Sequence, residues 1–218
     1  MDIPPYTHNE EVANYWTHGI AALLALIGLV YMVNCFVMLQ DAYLLFGVFI
    51  FGVTMTLTFA ASTAYHYVSS VPLKQTLRLL DHLAIYLLIA GSYSPFTLGN
   101  MRYDSGWLIF GLIWLLAFIG MTFKIAVRND FEKYERVDPF IYLAMGFVAA
   151  FFLDPLYRCV APDGIWWLIF GGLSYVVGIG FFQWSSLRYH HAIWHLFVIC
   201  GAFSHVYAVV NYVHLPVK

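Results

Sequence analysis

Two histidines, His191 and His195, stand one helical turn apart in the stretch HHAIWH, where a long apolar run begins. Residues at i and i+4 lie one above the other on a helix face, so these two imidazoles can reach one ion together. His190 lies about 100° round the same helix and points elsewhere. Two other polar stretches interrupt equally apolar surroundings: ASTAYH, with Ser62 and His66 again at i and i+4, and LRLLDH, with Asp81 and His82. Ionisable groups at membrane depth are rare and mark functional sites. Three imidazoles suit zinc, and three protein ligands with an open fourth position form the catalytic pattern. Zinc brings the pKa of its water to about 7 and polarises a carbonyl. His66, His191 and His195 are therefore expected to hold the metal. Asp81 is expected to act as a general base on the water, and Ser62 as a neighbouring donor or oxyanion partner.

Each residue taken singly has a plainer reading. The two histidines of HxxxH can be core residues bonded to neighbours, and Ser62 can be a small packing residue that lets helices approach closely. Asp81 can favour a helix amino terminus or pair with Arg78, and His66 can face headgroups. What favours one site is that three distant stretches reach the same depth, which depends on the elements that carry them.

Those elements are membrane spans. Of 218 residues, 62% are hydrophobic and 10% charged, with mean hydropathy +0.76, whereas a soluble domain carries about 25% charged residues. A spanning helix needs roughly 20 mostly apolar residues. The sequence predicts an amino-terminal segment over 1–15 and a transmembrane domain over 16–214, with spans near 16–39, 43–68, 79–99, 105–123, 138–158, 164–187 and 191–213. The fifth has the shortest charge-free run, Pro139–Leu153, and reaches span length only past Asp154; Asp154-Pro155 is expected to end or kink it. The connector from Lys124 to Arg136 reads as a solvated loop.

With seven spans, Lys74, Arg78, Lys124, Arg128, Lys133, Arg136 and Arg188 fall on the side of the amino terminus, and Arg102, Arg158 and Lys218 on the other. Cytoplasmic loops carry the Lys/Arg excess. The expected fold is thus an all-α seven-transmembrane helix bundle, amino terminus cytoplasmic and carboxyl terminus outside. Ser62, His66, Asp81, His191 and His195 then share one depth near the cytoplasmic face. His205, on nearly the same helix face as His191, lies about 21 Å further along and cannot join the ion.

Composition also excludes. A net charge of −2 argues against nucleic acid, and Cys35, Cys159 and Cys200 lie too far apart for a disulfide framework or a thiolate metal site. Met1 to Trp16 has no Lys or Arg, so a cleavable leader is not expected. The last span carries no lysine for a retinal Schiff base, and the orientation is opposite to that of a G-protein-coupled receptor. Pro95, in GSYSPF, should kink the third span, either for packing or to widen a cavity above the metal. Glu10, Glu11, Asn14 and His18 read as a cytoplasmic cap, with His18 alternatively on the rim of the site.

The blocks ASTAYH, LRLLDHLAIYLLIAGSYSPFTL and HHAIWHLFVICGAFSH, with EEVANYWTHGI before the first span, resemble the signatures of the hemolysin III family. That family is the bacterial branch of the progestin and adipoQ receptor proteins, related to the alkaline ceramidases. The resemblance implies zinc on His66, His191 and His195, with Ser62 and Asp81 beside the metal and its water. It also implies a multi-pass protein of the bacterial inner (plasma) membrane, acting in lipid or fluidity homeostasis.

Three functions compete: a zinc-dependent hydrolase of a lipid amide or ester, a non-enzymatic sensor with structural zinc, and a cytolysin. The expected partners are the bilayer and a membrane lipid, as substrate or regulator. An open coordination position beside a carboxylate favours catalysis. A compact bundle with short loops disfavours the cytolysin.

Overall fold

A computed structural model describes residues 6–130, 133–134 and 137–215; Arg136 and Lys218, counted above for orientation, lie outside them. The first helix, α1 (His8–Val37), begins at a capping box. Thr7 is its amino cap, and the Glu10 carboxylate accepts from the Thr7 backbone at 3.0 Å and its hydroxyl at 2.7 Å, satisfying donors a helix start would leave open. A tight turn through Gln40, in the left-handed region at φ 53°, leads to α2 (Ala42–Tyr67), whose cap Asp41 accepts from Leu44 N at 2.9 Å. Pro72 sits in the first turn of α3 (Val71–Leu98), where proline loses no hydrogen bond. After a π-helical turn, Arg102–Gly106, comes α4 (Trp107–Ala126).

The fifth hydrophobic stretch is broken. It comprises α5 (Asp138–Gly146), a 3-10 segment (Phe147–Phe152) and α6 (Leu153–Cys159). The break precedes the Asp154-Pro155 step, and Pro155 instead falls in the first turn of the resumed helix, a position it tolerates. The bundle closes with α7 (Pro162–Gln183) and α8 (His190–Tyr212). Among the described residues, six helical segments are long and apolar enough to cross a membrane. The segment outside that set is α3, which carries Lys74, Arg78, Asp81 and His82.

Two apolar cores hold the bundle. One unites α1, α2 and α8 through Ala25, Met32, Met55, Phe59, Ala202 and Val209; the other joins α3 to α4 and α5 through Tyr86, Ala90, Ile113, Ala117, Tyr142 and Met145. The last two helices touch backbone to backbone: a Cβ on Gly171 would lie 3.0 Å from the Gly201 carbonyl oxygen, and one on Gly201 equally close to that of Gly171. Close approach of this kind drives helix association in lipid, where burial of apolar surface gives no advantage. Outward faces expose Leu23, Ile27, Val30, Leu108, Phe118 and Leu173.

The structure corrects two expectations. Lys124 is not in a solvated loop: it is wholly buried at the end of α4, ion-paired with Asp138. Because α3 starts at Val71, Asp81 and His82 lie in its third turn, not its first. His190, on another face of α8, is buried and donates to the Phe181 carbonyl at 3.2 Å.

Candidate metal centre

Two helices supply the three histidines. His66 ends α2, while His191 and His195 occupy the first two turns of α8. Tyr189, in the left-handed region at φ 60°, turns the chain into α8, and its N–H donates to Glu10 Oε1 at 3.1 Å. All three histidines are buried, and one ring nitrogen of each lies within 4.8 Å of the others. Their ring centroids are separated by 4.9 Å (His66 to His191), 5.3 Å (His66 to His195) and 4.6 Å (His191 to His195).

The donor set fits a zinc ion. Ligand nitrogens of a tetrahedral zinc stand about 3.3 Å apart, so ring rotations must draw together a set whose nitrogens lie within 4.8 Å. His66 Nε2 and His191 Nδ1 are buried with no hydrogen-bond partner, and leaving such a group unsatisfied costs about 1–3 kcal/mol. A cation ligated at that point removes the cost. His190 and His205 stay out of the cluster, as their spacing predicts; His205 Nε2 donates to the Leu168 carbonyl at 3.3 Å.

Beside the histidines lies a cavity of about 390 Å³, within the range of small-molecule sites. Ser62, Asp81, His191 and His195 line it at the histidine cluster; Thr97, Asp138 and His205 are among further polar lining residues, and the rest of the wall is mostly apolar, including Ile89, Phe147, Leu173 and Val198. The 3-10 segment of the broken fifth stretch contributes to that wall, as does Phe96, the residue after Pro95. The cavity thus brings Ser62 and Asp81 into one space with two of the three histidines. Ser62 is buried and lines the cavity with Asp81.

The amino-terminal residues divide their roles. Glu10 is a cap, tying α1 to the start of α8. Glu11 Oε2 instead lies 2.7 Å from His66 Nδ1, and its Oε1 lies 2.8 Å from Lys74 Nζ. Asn14 Nδ2 is 3.4 Å from the same His66 nitrogen. Thr17 Oγ1 is 3.0 Å from His195 Nδ1, and the His18 ring stacks on that of His195 at 3.5 Å and 16°. Thr17 escaped the sequence reading; only its position in EEVANYWTHGI, one helical turn or two from other polar residues, could have signalled it. A second buried group also went unseen: His82 Nδ1 lies 3.1 Å from Asp138 Oδ2, which also takes Lys124, and Tyr142 donates to the His82 carbonyl at 3.1 Å.

Comparison with known proteins follows the same residues. The profile of the Haemolysin-III related family matches residues 6–206. The chain is 36% identical to a Hemolysin-3 homolog of Bacillus subtilis over 95% of this chain and 96% of that one. It is 37% identical to a Hemolysin-3 of Bacillus cereus, covering 94% and 92%. It is also 32% identical to the human Monocyte to macrophage differentiation factor, covering 94% and 85%. No solved structure matches the chain.

Proposed function

We propose, from the premise that this chain belongs to the Haemolysin-III related family, that it is a zinc-dependent hydrolase of a lipid amide or ester, serving membrane lipid or fluidity homeostasis. It is a multi-pass integral membrane protein. Its proposed setting is the bacterial plasma membrane, with α3 as the seventh span and the amino terminus cytoplasmic. The carrying observation is that three buried histidines offer ring nitrogens within 4.8 Å of one another, and two of them, His191 and His195, share a cavity with Asp81 and Ser62.

Zinc on His66, His191 and His195, when bound, supplies Lewis-acid polarisation and a water acidic enough to ionise near neutral pH. The chain's own groups account for the rest. The apolar wall receives the hydrocarbon part of a lipid, which orients its amide or ester linkage towards the histidine cluster. The Asp81 carboxylate takes a proton from the attacking water and returns it to the leaving amine or alcohol. The Ser62 hydroxyl, which lines the same cavity, donates to the developing oxyanion.

The Hemolysin-3 name of two relatives raises a lytic reading. The compact bundle with short connections offers no soluble form that inserts into a foreign membrane, so this ranks last. The test is metal analysis of detergent-purified protein, beside His66→Ala and the His191→Ala/His195→Ala double variant. About one zinc per chain, lost in the variants, is the expected result. Ceramide and other lipid amides and esters are then assayed, with Asp81→Asn as the inactive control. Stoichiometric zinc without turnover across that panel selects the sensor reading.

A further inference from the structure

The polar residues near the start of α1 remain without a role in the chemistry above. Glu11, Asn14, Thr17 and His18 fall within an arc of about 120° on one helix face, and that face meets His66 and His195. We infer that α1 is a positioning arm: Glu11 and Thr17 each accept the Nδ1–H of one metal-binding histidine, fixing the tautomer that turns Nε2 towards the metal.

The donor and acceptor roles follow from chemistry. Glu11 lies 2.8 Å from the Lys74 ammonium, which holds its carboxylate in the ionised, acceptor-only form. Its contact of 2.7 Å with His66 Nδ1 therefore requires a proton on that nitrogen. The remaining nitrogen, His66 Nε2, is the buried atom without a partner. For Thr17, the single hydroxyl hydrogen is committed to the backbone, with the carbonyls of Ala13 and Asn14 both at 2.9 Å. The oxygen can then only accept from His195 Nδ1 at 3.0 Å. The stacked His18 ring further holds the plane of His195. Both contacts thus leave an Nε2 lone pair, as metal ligation requires. Such outer partners orient the ligand and raise its basicity, and losing one typically weakens metal affinity by about 10–100-fold.

His191 has no such partner, since its Nδ1 is itself without a hydrogen bond. Two of three ligands are thus set from a helix that contributes no ligand. Lys74 plays an indirect part: it also donates to the carbonyls of Tyr65 at 3.1 Å and Val68 at 3.2 Å, pinning the end of α2 where His66 sits.

This inference rests on the metal reading, and the experiment separates the two. Zinc affinity is measured by competition with a colorimetric chelator on the purified full chain, for wild type, Glu11→Gln, Thr17→Val, Thr17→Ser and Lys74→Gln. Glu11→Gln and Thr17→Val should each weaken zinc by about 10–100-fold. Thr17→Ser, which keeps the hydroxyl, should restore wild-type affinity. Lys74→Gln breaks the ion pair but leaves the carboxylate on His66, and should cost less than Glu11→Gln. Cobalt substitution adds a spectroscopic readout: the ligand-field bands should shift in Glu11→Gln and Thr17→Val but not in Thr17→Ser. Wild-type affinity in both Glu11→Gln and Thr17→Val overturns the positioning role while leaving the metal site intact. Equal losses in Lys74→Gln and Glu11→Gln overturn the role of Glu11, since the ion pair would then account for the effect. A wild-type chain that holds no zinc removes the metal reading itself.

Discussion

The two ends of the bundle bury polar groups in opposite ways. At the end formed by the close of α3 and α8, Asn100 spends every polar atom on the protein: Nδ2 donates to the carbonyls of Cys159 and Tyr212, both at 3.0 Å, and Oδ1 accepts from His214 N at 3.3 Å. Beside it Arg102 grips Asp41 through two contacts of 2.6 Å. At the other end, His66 Nε2 and His191 Nδ1 are buried with no protein partner. A folded chain pairs its buried polar groups almost everywhere. The first end is therefore a clasp, with Arg102 Nε and the Ser105 hydroxyl its unpaired atoms, while the second leaves ring nitrogens of the histidine cluster open, as the proposed metal site requires.

That contrast is open to direct attack, and the largest expected effect lies at the histidine end. The His191→Ala/His195→Ala variant should lose essentially all bound zinc. Chelation should lower the Tm of the wild type, because metal binding contributes to folding stability, and leave the Tm of the double variant unchanged. Thermal unfolding with and without chelator checks both; a double variant that still responds to chelator places the metal elsewhere.

At the clasp the effect should be smaller and of another kind. Asn100→Ala strands two carbonyls and the His214 amide, costing about 1–3 kcal/mol, or several degrees in Tm for a chain of this size. Zinc per folded chain should stay at the wild-type value. A parallel loss of zinc would show that the two ends are coupled and that the division drawn here fails.

The smallest effect concerns pH. The Arg102 guanidinium hydrogen-bonds Asp41 and holds its carboxyl below the ordinary value of 3.8. A depressed carboxyl contributes stability above its unfolded pKa and loses it as pH falls through the folded value. The Tm difference between wild type and Asp41→Asn should therefore be constant from pH 7 to about 5 and shrink below about 4. A difference that changes between pH 7 and 5 would point to another titrating group.

Much of the molecule was legible in the chain because the signals are local. Apolar runs between short polar connectors marked the helices, and the i, i+4 spacing of His191 and His195 put them on one face. Their union with His66, about 125 residues earlier, followed from depth alone. The readings that failed have one cause. Lys124 looked like the start of a charged loop because the residues after it are charged, and its burial depends on Asp138 arriving from the next helix. The break in the fifth stretch came before its proline, in the 3-10 segment Phe147–Phe152, where no Pro or Gly interrupts the sequence.

The sequence by itself determined that this is a membrane-embedded helical protein, and which three histidines could share an ion. Only the tertiary structure decided how that cluster is held. Whether Glu11, Thr17 and His18 face lipid, water or the histidines depends on the rotation of α1 about its own axis. That rotation is set by the packing of Ala21, Ala25 and Met32 in the core shared with α2 and α8. Helical periodicity fixes which residues share a face, but the neighbour that face meets is a property of the whole bundle.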